Sequence, residues 1–303
     1  MSPREDDKQK PVVVIFRSAV FNASERFIQD QAAALTRWRP LVVGLEGKGE
    51  IVPRLREAIV AKGVRERVAF HLCGRGGRIE AELRAARPKV IHAHFATDGL
   101  LVLRLARALG LPLITSLRGY DVTRSDGALL RSGRPIWIRY ALGKKRLQRD
   151  GALFLAVSDA LRKQAIARGY PEARTVTHYN GVDLDRFRPD MAPREHGLIL
   201  HVARLVEKKG TKVLIEAMAR LAEAKLVIIG DGPLRGALER RARKLGERVR
   251  FLGALGVYEV AQCMRRASVL AVPSMTAADG DAEGLPNVVV EAAASGLPVV
   301  GTT

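Results

Sequence analysis

Two cysteines in 303 residues, Cys73 and Cys263, exclude a disulfide framework. They lie far apart and form no CxxC pair, so no thiolate metal site is encoded and the usage fits a reducing compartment. Aromatic residues make up 5%, which leaves few stacking platforms for single-stranded nucleic acid. No stretch approaches the roughly 20 apolar residues that a membrane span needs. The amino-terminal MSPREDDKQK carries both signs of charge, and the apolar run after it, Val12 to Phe16, is too short for a signal h-region. A cytoplasmic location is therefore expected. Acidic residues are outnumbered, 32 against 51 Lys plus Arg, for a formal net charge of +19. That charge suits an anionic partner: a phosphorylated ligand, a membrane surface or nucleic acid. The arginines are spread over the whole chain, so compositional bias explains the excess equally well.

Apolar residues are plentiful, at 47%, enough for two sizeable cores in a chain of this length. Short β-branched runs alternate with longer helical patterns. Strands are predicted at Val12–Phe16, Pro40–Leu45, Arg67–Leu72, Val90–His94, Leu113–Leu117 and Leu153–Val157. A second series follows at Leu198–Val202, Lys225–Ile229, Val249–Leu252, Val269–Val272 and Leu297–Val300. Many of these runs are apolar throughout, as strands buried on both faces should be. Helical patterns lie between them, for example at Phe27–Trp38, Gly99–Leu109, Ser158–Arg168, Lys212–Ala222 and Leu234–Leu245. Repeated β-α alternation implies parallel sheets with right-handed crossovers. The expected fold class is α/β, with two doubly wound Rossmann-like domains facing a cleft, residues 1–190 and 191–303. The proline- and charge-rich RFRPDMAPRE, Arg186 to Glu195, marks the boundary. Ligands are expected beyond the carboxyl ends of the strands. The chain stops at Thr303 directly after a strand, so the second domain is expected to be incomplete.

Two segments carry most of the chemistry. In HVARLVEKKG, His201 to Gly210, a strand end leads into a loop bearing Arg204 and Lys209, and a helix opens near Gly210–Thr211. Two cations beside a helix start suit a diphosphate, since arginine forks onto phosphate oxygens and lysine supplies a compact charge. Alone, the segment reads equally as a solvated basic loop. In EGLPNVVVEAAASGLPVV, Glu283 to Val300, a helix opening near Pro286–Asn287 places Glu291 about one turn inside and Glu283 in the loop before it. The first backbone amides of that helix can hold a phosphate. Alone, the glutamates read as carboxylates favoured by the helix dipole.

Taken together, these segments resemble the family 4 retaining glycosyltransferases of GT-B fold. HYNGVDLDRFRP (residues 178–189), IIGDGPLRGALE (228–239), VRFLG (249–253) and VSDALRKQAIARGYP (157–171) are similar to further segments of that family. ASERFIQDQ and HAHFATDG resemble its exopolysaccharide, colanic-acid-type branch. The resemblance implies that Arg204 and Lys209 bind the donor diphosphate and that the Asn287 backbone meets phosphate. It also implies that Glu291 binds ribose and Glu283 contacts the donor sugar. The implied substrates are a nucleotide-diphosphate sugar and a lipid-linked or polysaccharide acceptor. No metal and no other cofactor is expected, and no nucleic acid partner.

Three departures stand out. Arg118, in TSLRGYDVT, stands where the family carries a His, and arginine cannot act as a base near neutral pH. It remains able to stabilise negative charge or hold an acceptor phosphate. Near the first strand, RSAVFNASERF replaces the family's Gly-Gly loop; Asn22 and Ser24 become candidate side-chain contacts, with helix capping the stronger reading for Ser24. The family's segment beyond GLPVVGT is not in the sequence, which again reads as truncation.

Other features are weaker. His94, at a strand's carboxyl end, and Asp121 are candidate acceptor-side residues. His92 and His94 share one strand face, but a metal needs further ligands. GDGPLRG lacks the spacing of a dinucleotide fingerprint. RPIWIRYALGKKRLQR, Arg134 to Arg149, mixes Trp137, Ile138 and Tyr140 with cations and suits either an anionic bilayer or an ordinary amphipathic helix. Two alternatives to a transferase remain at this point: a nucleotide-sugar epimerase on the same architecture, and an inactive fragment or basic binding protein.

Overall fold

The computed structural model describes residues 9–20, 25–47, 55, 57–75 and 77–302. Asn22 and Ser24 lie outside the described residues. The chain divides into two compact units between Tyr179 and Asn180.

The first unit is built on a seven-stranded, wholly parallel sheet in the order β3-β2-β1-β4-β5-β6-β7. Its strands are β1 (Val12–Val20), β2 (Arg39–Gly47), β3 (Ala58–Val60), β4 (Val90–His94), β5 (Leu113–Leu117), β6 (Leu153–Ala156) and β7 (Thr175–Thr177). The helices are α1 (Arg26–Ala33), α2 (Gly63–Cys73), α3 (Gly77–Ala86), α4 (Ala96–Ala108), α5 (Tyr120–Thr123), α6 (Asp126–Leu130), α7 (Pro135–Asp150) and α8 (Asp159–Ala167). Every residue of β4 is buried, His92 and His94 included. Val13, Ile15 and Val42 pack under Ile28 and Ala32 of α1. Within this unit α7 is tied inward by Tyr140, whose hydroxyl donates to Asp121 O at 2.7 Å and meets the Tyr170 hydroxyl at 2.6 Å.

The second unit carries a five-stranded parallel sheet, order β10-β9-β8-β11-β12. Its strands are β8 (Leu198–Val202), β9 (Lys225–Ile229), β10 (Val249–Gly253), β11 (Val269–Val272) and β12 (Val299–Gly301). Helices α9 (Thr211–Ala217), α10 (Arg235–Ala242), α11 (Val257–Arg266) and α12 (Asn287–Ala294) connect them. One face packs Leu205, Ile215, Met218 and Leu226; the other packs Leu198, Leu270, Met264 and Ala292. Phe187 is buried in the latter cluster, so the segment after Asn180 packs with this unit, ahead of the 190/191 boundary that composition suggested.

One predicted strand is a helix. Arg67–Leu72 lies inside α2. That helix buries Phe70 on one side and exposes Val64, Val68 and Leu72 on the other, so its apolar residues follow no single face and the helical period is erased. Strands β3 and β7 were not anticipated; at three residues each they are too short to show a period.

Arg194 ties the second unit together. Its Nη1 donates to Met264 O at 2.8 Å, Ala267 O at 2.9 Å and Arg265 O at 3.3 Å, and its Nη2 donates to Ser295 O at 2.9 Å. One guanidinium thereby covers carboxyl-terminal carbonyls of both α11 and α12. Arg194→Ala should cost about 2–3 kcal/mol, the scale of hydrogen bonds to a charged group, with Arg194→Lys recovering only part. Chemical denaturation followed by far-ultraviolet circular dichroism reads this directly.

Candidate active site

In the second unit β9 and β10 lie on one side of β8, whereas β11 and β12 lie on the other. The winding direction therefore reverses between β8 and β11. The loops leaving those two strands diverge and open a crevice at their carboxyl ends. Both chemistry-bearing segments emerge there. The loop after β8 presents Arg204, exposed and without an ion-pair partner among the described residues. A 3-10 turn, Glu207–Lys209, then leads into α9 through Gly210.

Gly210 has φ +64, and a Cβ there would lie 1.7 Å from Pro273 O. Only glycine lets this loop press against the segment after β11. Gly230 is equally constrained: φ is +126, and a Cβ would sit 2.0 Å from Ala203 O. The Met275 amide donates to Lys208 O at 2.8 Å and closes the second side of the crevice.

Lys209 Nζ lies 3.0 Å from Glu283 Oε1. Lys208 Nζ lies 3.4 Å from the same oxygen and 3.1 Å from Asp281 Oδ1. Burial alone would raise the Glu283 carboxyl, but Lys209 and Lys208 outweigh it and hold that carboxyl below the usual range. Two lysines and two carboxylates thus form one charged cluster. Asn287 opens α12, and its Oδ1 accepts from Asn180 Nδ2 at 2.6 Å. Glu291 lies half-buried within α12; the Val289 amide already donates to Pro286 O at 3.0 Å, so the amides that helix geometry leaves without intrahelical acceptors are those of Asn287 and Val288.

His201, at the end of β8, braces this crevice from below. It is buried, with Nδ1 2.8 Å from Ala271 O and Nε2 2.9 Å from Thr211 Oγ1. A carbonyl only accepts, so Nδ1 carries the proton and Nε2 accepts from the threonine hydroxyl. Burial lowers the imidazole to about 4, with Lys209 adding to the effect and the Ala271 bond opposing it. The ring is neutral and ties β8, β11 and α9 together.

In the first unit the winding reverses between β1 and β4. His94, at the end of β4, accepts from Arg118 Nη2 at 2.9 Å through Nδ1. It stacks on His92, ring centroids 4.4 Å apart, while His92 Nε2 meets Ser116 Oγ at 2.8 Å. Burial and the neighbouring charge keep both rings neutral, His92 at about 3 and His94 well below the ordinary range. Arg118 lies 4.4 Å from the Phe27 ring centroid and 3.3 Å from Gln31 Oε1. Burial lowers it only to about 10, so it stays a cation at neutral pH. Asp121 accepts backbone amides of Ala96 (2.9 Å), Gly119 (2.9 Å) and Arg118 (3.1 Å). Its carboxylate is thereby committed to holding the loop that presents Arg118.

Phe95, next after His94, has φ +75, a region costly for a side chain. Its ring stacks on Tyr120 at 5.2 Å and lies under Arg17 at 4.6 Å. Arg17 in turn grips Glu25 at 2.8 and 2.9 Å and Asp98 at 2.7 Å. That bidentate pair anchors the start of α1, which carries Phe27 and Gln31 onto Arg118.

Comparison with known proteins shows which family the chain belongs to. Residues 24–186 match the family model described as Glycosyltransferase Family 4, and residues 196–303 match that of Glycosyl transferases group 1. The chain belongs to glycosyltransferase family 4. A "Putative colanic acid biosynthesis glycosyltransferase WcaL" of Escherichia coli is 37% identical over 71% of this family 4 chain and 53% of the relative. An "Amylovoran biosynthesis glycosyltransferase AmsK" of Erwinia amylovora is 34% identical over 77% of this chain and 60% of its own length. The chain thus spans little more than half the length of these curated relatives. Among solved structures, Anabaena Alr3699/HepE in complex with UDP and glucose superposes with a TM-score of 0.73 at 21% identity, over 97% of this chain and 80% of that one. A sucrose-phosphate synthase from Thermosynechococcus elongatus superposes with a TM-score of 0.71 at 18% identity, over 96% of this chain and 81% of that one. The fold is GT-B, with two Rossmann-like units.

Among the described residues no group of His, Cys, Asp and Glu is placed to hold a metal ion. Lys208, Asp281 and Asn180 join the predicted set. Lys208 was legible as the first lysine of EKKG, and Asp281 as the other carboxylate of DAEG. His201, Phe27, Gln31 and the Arg17–Glu25–Asp98 cluster were not.

The neutral His201 has a measurable consequence. Unfolded, an imidazole takes up its proton near pH 6.5, whereas folded His201 resists until about 4. The unfolded state binds more protons in that window, so stability is full above it and falls as pH drops through it. His201→Gln should flatten the loss by up to about one proton, roughly 1.4 kcal/mol per pH unit. Hydrogen exchange of the β8 and α9 amides across this pH range checks it.

Proposed function

We propose that this protein is a retaining glycosyltransferase that moves a sugar from a nucleotide-diphosphate donor to a hydroxyl of a lipid-linked or polysaccharide acceptor. The observation that carries this reading is the cluster of Lys208, Lys209 and Glu283 at the β8/β11 reversal, beside the exposed Arg204. Paired cations suit a pyrophosphate, and a carboxylate held against them suits sugar hydroxyls one bond away. Relatives named for colanic acid and amylovoran biosynthesis, and a neighbour seen with UDP and glucose, support the class of substrate.

The second unit takes the donor and the first takes the acceptor. Arg204 and Lys209 hold the diphosphate, helped by the Asn287 amide. Glu291 accepts from the ribose diol, and Glu283 orients the sugar. The acceptor oxygen bonds to the anomeric carbon on the face that the diphosphate leaves. The bond from that carbon to the phosphate oxygen breaks, and the leaving phosphate takes the acceptor's proton. No side chain then needs to act as base. That fits a first-unit site where His94 is neutral and spent on Arg118, and where Arg118 is a fixed cation. Arg118 supplies positive charge to the developing anion, His94 sets its pose, and Asp121 holds its loop. Arg204 and Lys209 do the work that a divalent metal does in other transferases, and no cofactor is needed. The enzyme works in the cytoplasm, at the inner membrane face where lipid-linked acceptors lie.

Lys209→Ala and Glu291→Ala should each weaken nucleoside-diphosphate binding about ten- to a hundredfold, the equivalent of one lost charge-assisted contact. Titration calorimetry with UDP, GDP and ADP on folded variants decides the matter. Unchanged affinity in both would remove the donor site from this crevice.

A further inference from the structure

The helix that suggested a bilayer contact does not present its aromatic face. Tyr140 of α7 is buried, and Trp137 is packed between Arg124 at 4.1 Å and Arg134 at 4.5 Å. The apolar surface left uncovered lies elsewhere in the same unit. Val64, Val68 and Leu72 of α2 are 62%, 50% and 72% exposed. They recur every four residues, so they form one continuous stripe along the outward face of the helix. On α7, whose Arg139 reaches His71 O, Leu142 is 75% exposed.

Arginines surround the carboxyl end of that stripe. Arg139, three residues before Leu142, donates to His71 O, the carbonyl adjoining Leu72. Arg104 of α4 donates to Cys73 O at 3.2 Å. Arg146, one helical turn beyond Leu142, is exposed. Arg104, Arg139 and Arg146 have no ion-pair partner among the described residues. Beyond the effect of burial, the charges of Arg104 and Arg146 bear on Arg139 and lower it, so the three repel one another. The acids nearby are already used: Glu66 by Arg78 at 3.4 Å, and Asp150 by Arg107 and Arg149 at 3.2 and 2.7 Å.

We propose that the outward face of α2, with Leu142 and the arginines Arg104, Arg139 and Arg146, is the surface that docks this protein on an anionic phospholipid bilayer. Three observations select that occupant. The stripe is aliphatic and shallow, suited to the headgroup–acyl boundary. Its flanking cations repel each other and are relieved by diffuse negative charge, to which each arginine responds independently. A second copy of the chain would bring the same arginines together and is disfavoured by like charge. The inference deepens the reading of an acceptor at the membrane, but its test needs neither donor nor acceptor.

The 303-residue protein is floated with phosphatidylglycerol–phosphatidylcholine vesicles and with pure phosphatidylcholine vesicles. Binding is expected to the first and to be several-fold weaker to the second. Val68→Asp with Leu72→Asp should lower vesicle affinity at least about tenfold. Arg146→Glu should lower it about fivefold or more, and added salt should narrow that gap. Each variant is checked for unchanged UDP affinity and melting, which separates loss of the docking face from loss of the donor site or the fold. Equal flotation of wild type and variants, or equal binding to both vesicle types, would overturn the proposal. So would a wild-type dimer in size-exclusion chromatography that the double variant dissolves, because the face would then belong to a second copy.

Discussion

Two parallel strands whose connections run off in opposite directions leave a crevice that no loop of ordinary length fills. Each sheet of this protein has one such reversal, between β1 and β4 in the first unit and between β8 and β11 in the second. Parallel strands aim their carboxyl ends the same way, so helix starts, loop amides and strand-end side chains all converge on that edge. His94, Arg118, Arg204, Lys209 and Glu283 belong to these two edges. The fold dictates where the polar chemistry gathers before any one residue dictates what it does.

Both edges solve the same electrostatic problem, in different ways. In the second unit Lys209 and Lys208 lie against Glu283 and Asp281, so cations and carboxylates neutralise one another across the crevice. Each pair in such a cluster is worth little on its own, because the pairs are only partly buried. In the first unit the charges sit deeper. Arg118 is stabilised by an aromatic face and a neutral imidazole, and Arg17 by two carboxylates. Three buried histidines, His92, His94 and His201, stay neutral and serve as hydrogen-bonding struts. The chain holds these cations with uncharged or oppositely charged neighbours, which keeps them fixed.

Much of this could be read from the sequence. Apolar strand runs such as VIF and LVIIG are buried on both faces and announce themselves without a partner in view. The candidate residues Arg204, Lys209, Glu283, Asn287 and Glu291 were legible too, because they lie in two short segments whose local spacing singles them out. What escaped was non-local. The reading of Arg67–Leu72 as a strand failed because α2 is apolar on two sides, and only its neighbours show which side is inside. Phe187 packs with the second unit although its proline- and charge-rich surroundings read as a linker.

The sequence by itself determined the fold class and the family, because each rests on periods and spacings within a few residues. Tertiary structure alone decided the rest. His201 means nothing until Ala271, 70 positions on, meets its ring. Arg118 became a held cation only when α1 brought Phe27 and Gln31 beside it. The aromatic face of α7 turned out to be packed inward, and the exposed aliphatic stripe lies on α2. Burial, protonation and exposure are properties of the surroundings of a side chain, and in a doubly wound fold those surroundings come from strands far apart in the chain.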